Sequence, residues 1–500
     1  MSNQSGIAMR LGLVETVRHW SKYLPNKSAI ITDKGIVSFR ELYSGAIETA
    51  AELVQSAPKG GMSIGLMTEE KPSFIIGLLA ILATGNSVIL LNPIWPDEVL
   101  AQAFRDSAAE AILVDSQNTK RRFENQGVNA QYVFTRHSGG DVAAFGFKPE
   151  LRDACATWGV IYSSGTTCQP KGIVRTDFSI LTELLGWCLE LPITRDDSFY
   201  IGRPLFYTGG LVLSASTLLV GGTVCVPREH SIPEFQALQE KHALSYAFLL
   251  PDQIRELVRF HEKNPLPSHQ IKRIVTMGAP ITAEEKQKTA AVLKVEVLES
   301  WGNSEGLGTI TEASDLINRP GSIGRPFLGD EMLICDVAGK ELPAGSVGRI
   351  SGLADSRLKE YRNREDLNST LILGELVLSE DLGKIDNDGY FYLCGRLSER
   401  IMRNGNPVFA NDILPTVRAL HGVQDAAVVG IPNAAEGEVP VAVVVVSSDS
   451  TGVSEAELLH AANSKLPSLL QLTNIRIVTA LEKTATGKTS LEHVRKLFFQ

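Results

Sequence analysis

The apolar run ATWGVIY at 156–162 leads directly into Ser163-Ser164-Gly165-Thr166-Thr167-Cys168-Gln169-Pro170-Lys171-Gly172, and a second short apolar stretch, IVRT at 173–176, follows at once. A buried strand that ends in a polar, glycine-bearing loop is where α/β proteins place ligands. Ser163, Ser164, Thr166 and Thr167 supply hydroxyl donors, Gly165 lets the backbone turn tightly enough to present its N–H groups, and Lys171 adds a fixed positive charge. This chemistry suits a phosphate cradle built as strand, loop, strand, with Asp177 capping a helix over residues 178 to 190.

Other motifs with similar wording fail on spacing. A P-loop needs Gly-x-x-x-x-Gly-Lys-Ser/Thr opening into a helix, whereas here Pro170 stands where the second glycine belongs and a strand-like stretch follows Lys171-Gly172. Gly487-Lys488-Thr489 imitates the end of that motif, but Glu482 occupies its first glycine position. No Gly-x-Ser-x-Gly elbow surrounds Ser163 or Ser164. Asp386-Asn387-Asp388-Gly389 lacks the acidic framework of a calcium loop and reads as a hairpin turn.

Along the first 320 residues, strand-like and helix-like patterns alternate: GMSIGLMT at 61–68, PSFIIGLLAILATG at 72–85 and SVILLN at 87–92, then YAFLL, IKRIVTM and VEVLES between 246 and 299. Such alternation predicts an α/β fold of layered, mostly parallel sheets with helices. After about residue 320 short strands with Gly and Asp-Gly turns predict a small β-barrel-like part. Beyond Arg396 a small α+β unit follows, with strands AAVVGIP and VAVVVVSS and a helix near 454–465.

Composition removes several function classes. The 500 residues carry a net charge of −9, which disfavours a broad nucleic-acid surface. The six cysteines form no Cys-x-x-Cys pair and no zinc spacing, so a reduced, cytoplasmic setting is expected. The start, MSNQSGIAMRLGL, has no apolar core of signal-peptide length, and no apolar run approaches the roughly 18 residues of a membrane span.

The hydroxyl loop closely resembles the signature loop of the adenylate-forming enzymes (acyl- and aryl-CoA synthetases, peptide-synthetase adenylation domains and luciferases), Ser-Gly-Thr-Thr-Gly-x-Pro-Lys-Gly, with Cys168 replacing one glycine. Further motifs of that family follow in its order over nearly the whole chain: RPLFYTGG at 203–210, GAP at 278–280, SWGNSEG at 300–306, SEDLGKIDNDGYFYLCGR at 379–396 and KTATGK at 483–488. The resemblance implies a large N-terminal adenylation domain, 1–396, and a small mobile C-terminal domain, 397–500, hinged at Ser398.

The resemblance also implies roles. Ser163, Ser164, Gly165, Thr166, Thr167 and Lys171 would hold the ATP phosphates; Thr166 and Glu305 would position Mg²⁺. Trp301, where relatives usually carry tyrosine, would lie against adenine, with Gly278-Ala279-Pro280 as the opposite wall and Gly302, Asn303 and Ser304 completing the nucleotide segment. Asp381 and Arg396 would hold the ribose hydroxyls. Lys488 would bridge the substrate carboxylate and the α-phosphate. Gly405 would line the tunnel for coenzyme A or a carrier-protein phosphopantetheine, while Ser398 and Met402 depart from the residues usual there.

Tyr207, Gly210 and Gly302 would shape the acid pocket. Amino-acid-adenylating members of the adenylate-forming family hold the α-amine with an aspartate close to the position of Tyr207, whereas LFYTGGLVLSASTLLVGG contains no acidic residue, so a buried α-ammonium would be costly and the resemblance disfavours an α-amino acid. Acetate-specific members of that family carry tryptophan at the position of Gly302, so the resemblance implies room for an acid larger than acetate. Two other readings of the resemblance stay open: a stand-alone enzyme that loads an acyl carrier protein, and a non-catalytic nucleotide- or acyl-binding homologue. The changes at Cys168, Ser304, Ser398 and Met402 permit the second, and retention of Lys488, Glu305, Asp381 and Arg396 opposes it.

Lys488→Ala should lower acid-dependent ATP–pyrophosphate exchange by two to three orders of magnitude, the roughly 3 to 4 kcal/mol that a charge aimed at a developing oxyanion contributes. ATP affinity should change far less. Near-normal exchange in the variant would remove the C-terminal lysine from the chemistry.

Overall fold

The computed structural model describes residues 9–57, 60–69, 71–136, 142–163, 170–264, 270–279, 281–447, 453–483 and 489–499. Its contacts divide into two compact units. The first comprises Met1–Pro320, Gly324–Met332 and Gly352–Val377; the second comprises Gly321–Ile323, Leu333–Ser351 and Leu378–Gln500.

The first unit is built on two sheets that are parallel at their centres. Among the described residues, one has nine strands, with Glu296–Gly302, Arg273–Thr276, Tyr246–Phe248, Ser198–Ile201, Thr223–Cys225 and Ser28–Thr32 running parallel. The other has seven, with Thr157–Ser163, Ser87–Leu90, Ser63–Met67, Ala111–Val114 and Gln131–Phe134 parallel. Strands covered on both faces carry continuous apolar runs, which explains SVIL and AILV. The apolar segment at 72–85 becomes the helix Lys71–Ala83, buried at every residue from Ser73 onward. An all-round apolar helix of this length belongs in a core, and no helix among the described residues is long and apolar enough to cross a membrane.

Both sheets change direction at one edge. Lys171–Thr176 returns antiparallel beside Thr157–Ser163, pairing Ser163 with Lys171 and Tyr162 with Gly172, and Glu360–Tyr361 adds antiparallel to Lys171–Thr176. In the nine-stranded sheet Gly308–Ile310 folds back on Glu296–Gly302. The helix after the hairpin is Asp177–Glu190, and its cap is Thr176, whose side chain exchanges hydrogen bonds with Ser179. Asp177, expected as the cap, instead sits in the first turn and receives Arg152 Nε at 2.8 Å.

The second unit contains the expected Asp-Gly hairpin: Leu376–Ile385, largely in this unit, pairs antiparallel with Phe391–Arg396 across a turn in which Gly389 takes a φ of 83°. Its C-terminal sheet joins Asn406–Val408, Ile401–Arg403, Gly437–Val446 and Val423–Asn433, with Asn474–Val478 parallel to Gly437–Val446. Val441 and Val443 pack on one face with Val494; Ala442 and Val444 pack on the other with Ile413, Val417 and Leu458. This two-sided burial is why VAVVVV reads as unbroken apolar sequence. Gly395 lies 3.3 Å from the Phe409 ring when given a Cβ, so the strand carrying Arg396 packs with the C-terminal residues.

Candidate active site

The antiparallel edges of the two sheets of the first unit carry Ser163 and Lys171 on one and the turn with Glu305 on the other. Ser163 and Lys171 face each other at the mouth of the hairpin. Ser164, Gly165, Thr166, Thr167 and Cys168, together with Pro280 and Lys488, lie outside the described residues. Tyr162, the first residue of the motif, is structural: its hydroxyl donates to Asp106 Oδ2 at 2.6 Å, and burial followed by that carboxylate pushes the phenol pKa upward.

Glu305 stands on the turn that follows strand Glu296–Gly302. Its carboxylate Oε1 accepts from Tyr361 Oη at 2.9 Å, and its carbonyl accepts from Leu358 N–H at 2.7 Å. Asn303 closes the turn, its side-chain oxygen and carbonyl accepting from Leu307 and Gly306. Gly306 has a φ of 94°, and a Cβ there would meet Ser356 O at 1.9 Å, so no other residue fits. Ser304 Oγ shares a hydrogen bond of 2.9 Å with Thr208 Oγ1 at the start of helix Thr208–Leu219.

What holds this turn is Arg175, a residue that sequence reasoning passed over within IVRT. It is 0% exposed, the largest wholly buried side chain among the described residues. Its guanidinium donates to Ser304 O at 3.3 Å, to Ser356 O, to Ser179 Oγ and O, and to Glu183 Oε2 at 2.8 Å. A planar fork of five N–H donors can satisfy several acceptors lying in different directions, which a lysine cannot. The signal was a charged residue in an otherwise apolar strand. Tyr361 and Ser356 had no comparable sequence signal.

The remaining expected residues are placed as follows. Trp301 pairs with Thr309 and is 7% exposed, so little of its indole reaches the surface. Gly302, Gly278 and Ala279 are exposed. Gly210 is buried, and a Cβ there would meet Pro204 O at 2.5 Å, so its lack of a side chain serves helix packing. Tyr207 accepts from Asn92 Nδ2 at 3.4 Å, its ring lying under the Arg203 guanidinium at 4.3 Å.

In the second unit Asp381 and Arg396 are cross-strand partners, with Arg396 Nε donating to Asp381 Oδ1 at 3.0 Å. Ser398 is exposed in the one-turn helix Leu397–Glu399. Met402 N–H donates to Glu438 Oε2. Gly405 and Asn404, with φ of 75° and 50°, form the two-residue turn between Ile401–Arg403 and Asn406–Val408, a type I′ requirement that Asn-Gly meets.

Among the described residues no three His, Cys, Asp or Glu side chains cluster as a metal cage. A single carboxylate oriented by a phenol suits Mg²⁺, which keeps its waters and takes one or two protein carboxylates plus nucleotide phosphates. The residues present therefore fit that ion.

Arg175→Met should destabilise the first unit by about 3 to 5 kcal/mol, since it strands Glu183 and two backbone carbonyls in a buried place. Adding Glu183→Met should recover part of that loss in urea unfolding. A single variant as stable as wild type would show that Arg175 does not pin the turn.

The sequence matches the family model described as AMP-binding enzyme over residues 17–352 and that of the AMP-binding enzyme C-terminal domain over 416–488. It is 25% identical to the 2-succinylbenzoate–CoA ligase of Bacillus cytotoxicus, covering 97% of this chain and 99% of that one, and 24% identical to the uncharacterised acyl–CoA ligase YhfT of Bacillus subtilis over 94% and 95%. Among solved structures, ATP-bound MatB from Rhodopseudomonas palustris superposes with a TM-score of 0.85 at 23% identity, covering 96% of this chain and 99% of MatB. O-succinylbenzoate coenzyme A synthetase of Bacillus subtilis with AMP superposes at 0.83 and 21% identity, covering 97% and 98%. With more than half its length inside the first of these family models, this chain belongs to the AMP-binding enzymes.

Proposed function

We propose that this protein is an AMP-forming acid–thiol ligase, which condenses a carboxylic acid larger than acetate with ATP and transfers the acyl group to the thiol of coenzyme A. The observation that carries this reading is the Glu305 carboxylate, fixed by Tyr361 on a turn pinned by buried Arg175, with Tyr361 paired to the hairpin strand that begins at Lys171 opposite Ser163. The named relatives are CoA ligases, which supports the thiol acceptor.

In this reading, attack of the acid's carboxylate on the α-phosphate expels pyrophosphate, and the enzyme's task is to gather like charges and neutralise the one that develops. Bound Mg²⁺ would supply Lewis acidity toward the phosphates, with Glu305 and Thr166 as its protein ligands. Ser163, Ser164, Gly165, Thr167 and Lys171 hold the phosphates. Asp381 and Arg396, already paired with each other, offer a carboxylate and a guanidinium to the ribose hydroxyls. Gly278, Ala279, Pro280, Trp301, Gly302, Asn303 and Ser304 border the nucleotide; Tyr207 and Gly210 border the acid. Lys488 bridges carboxylate and α-phosphate in the adenylating pose. Rotation of residues 397–500 about Ser398 then admits the thiol past Gly405.

A screen of fatty, aryl and hydroxy acids for ATP–pyrophosphate exchange tests the first half-reaction. Free coenzyme A against a holo-carrier protein, compared as accelerators of AMP release, tests the second; faster release with the carrier alone would replace the CoA ligase by a carrier-loading enzyme. No exchange with any acid would leave a nucleotide-binding homologue.

Glu305→Gln keeps the size of the side chain and removes its charge. Exchange should fall at least tenfold, and the Mg²⁺ concentration for half-maximal activity should rise. An unchanged magnesium titration would take Glu305 out of the metal site.

Ser398→Pro fixes φ near −65° at the proposed hinge, where an exposed serine makes no demand on the core. With the adenylating pose trapped, pyrophosphate exchange should survive while CoA-dependent AMP release collapses. Retention of both activities would mean that Ser398 is not the hinge.

A further inference from the structure

Arg203 opens the segment RPLFYTGG and is half-buried, with an enclosed Nε that has no hydrogen-bond partner among the described residues. Its guanidinium stacks on the Tyr207 ring at 4.3 Å, and its Nη1 lies 3.0 Å from where a Cβ on Gly278 would sit. Gly278 has a φ of 88°, so a bare glycine backbone borders the guanidinium. A half-buried guanidinium whose Nε is wholly enclosed, with no carboxylate against it among the described residues, is costly and needs an explanation.

The surroundings make the corner more positive. His230 Nδ1 is also buried without a hydrogen-bond partner, and burial, with the charges of Lys71 and Arg203, pushes its pKa down to about 4, so the imidazole is neutral near pH 7. Lys71 has Glu234 and Asp33 to answer its charge; among the described residues Arg203 has the Tyr207 phenol, itself kept protonated by burial. Helix Thr208–Leu219 starts here with no side-chain cap, adding the partial positive charge of its N-terminus. Apolar side chains stand beside it: Met277 packs against Gly209, and Leu250 lies next to Gly278, both partly exposed.

We infer that Arg203 receives a second anionic oxo group of the acid substrate, a carboxylate carried at the end of its apolar body remote from the carboxylate that is adenylated. The inference rests on the proposed reading of this site as one that adenylates a carboxylic acid. A guanidinium fork matches a carboxylate with two parallel hydrogen bonds, and the uncapped helix start favours the same charge. Met277 and Leu250, both partly exposed, suit the body between the two acids.

The test uses the full chain and matched pairs of acids that differ only in the second carboxylate, hexanoate against adipate and 3-phenylpropanoate against 3-(2-carboxyphenyl)propanoate. Wild type should favour the dicarboxylate of at least one pair by roughly a hundredfold or more in the kcat/KM of pyrophosphate exchange, as expected when a site built for a polar group meets an analogue lacking it. Arg203→Gln should collapse that ratio to within about threefold, mainly through KM for the dicarboxylate, with KM for ATP moving less than about twofold. Arg203→Lys, which keeps the charge without the fork, should fall between, and carries the same test where the glutamine variant does not fold.

Equal use of both acids by wild type would overturn the inference while leaving the proposed function intact. An equal loss with both acids in Arg203→Gln would assign Arg203 to the reacting carboxylate or to packing, and a raised KM for ATP would assign it to the phosphates; either result overturns the inference. Absence of exchange with every acid of both kinds would overturn the proposed function, and this inference with it.

Discussion

A single buried guanidinium connects the parts of the site. Arg175 leaves a strand of the seven-stranded sheet and ends on the turn that closes a strand of the nine-stranded sheet, with Ser356 and Glu183 taking its other donors. Its bond to the Ser304 carbonyl adds a charged donor to a turn that Asn303, Leu358, Tyr361, Thr208 and Ser356 also hold. Burying a full positive charge is tolerated because each lobe of the fork meets an oxygen. The arrangement is rigid for the same reason, since any movement of the turn exposes an unsatisfied charge to an apolar interior.

The site lies where the parallel order ends. Parallel strands deliver loops to one edge of a sheet, but each is followed by a crossover helix that carries the chain away. The antiparallel additions Lys171–Thr176 and Gly308–Ile310 return the chain immediately beside their parent strands, so Lys171 stays paired with Ser163 and the acidic turn stays next to Glu296–Gly302, while Glu360–Tyr361 adds beside Lys171–Thr176. Tyr361 reaches Glu305 only because its two-residue strand is paired to Ile173 and Val174.

Arg175 and Arg203 illustrate two ways of burying the same residue type. Arg175 has acceptors for its donors and acts as a brace. Arg203 has a phenol ring below it and an unsatisfied Nε, an arrangement that costs stability unless a ligand completes it. The absence of acidic residues from 205–222, read in the sequence as disfavouring an ammonium substrate, fits this positive corner.

The alternation of apolar strands and helices, the strand–loop–strand form of residues 157–176 and the Asp-Gly hairpin were legible because they are local: period, turn chemistry and loop length act over a dozen residues or fewer. The family motifs were legible because their order along the chain is itself information. Which groups touch was not legible. Thr176 rather than Asp177 caps its helix because Arg152, distant in sequence, claims the aspartate. Tyr361, Ser356 and Arg175 meet Glu305 and its turn across separations of 50 to 129 residues. By itself the sequence determined an α/β chain with a phosphate-type loop and one acidic turn. The tertiary structure decided that Glu305 is oriented by a phenol, that one arginine is spent on the scaffold and that another stacks on a phenol with its Nε unpartnered among the described residues, because burial and partner geometry are properties of packed neighbours and not of neighbours along the chain.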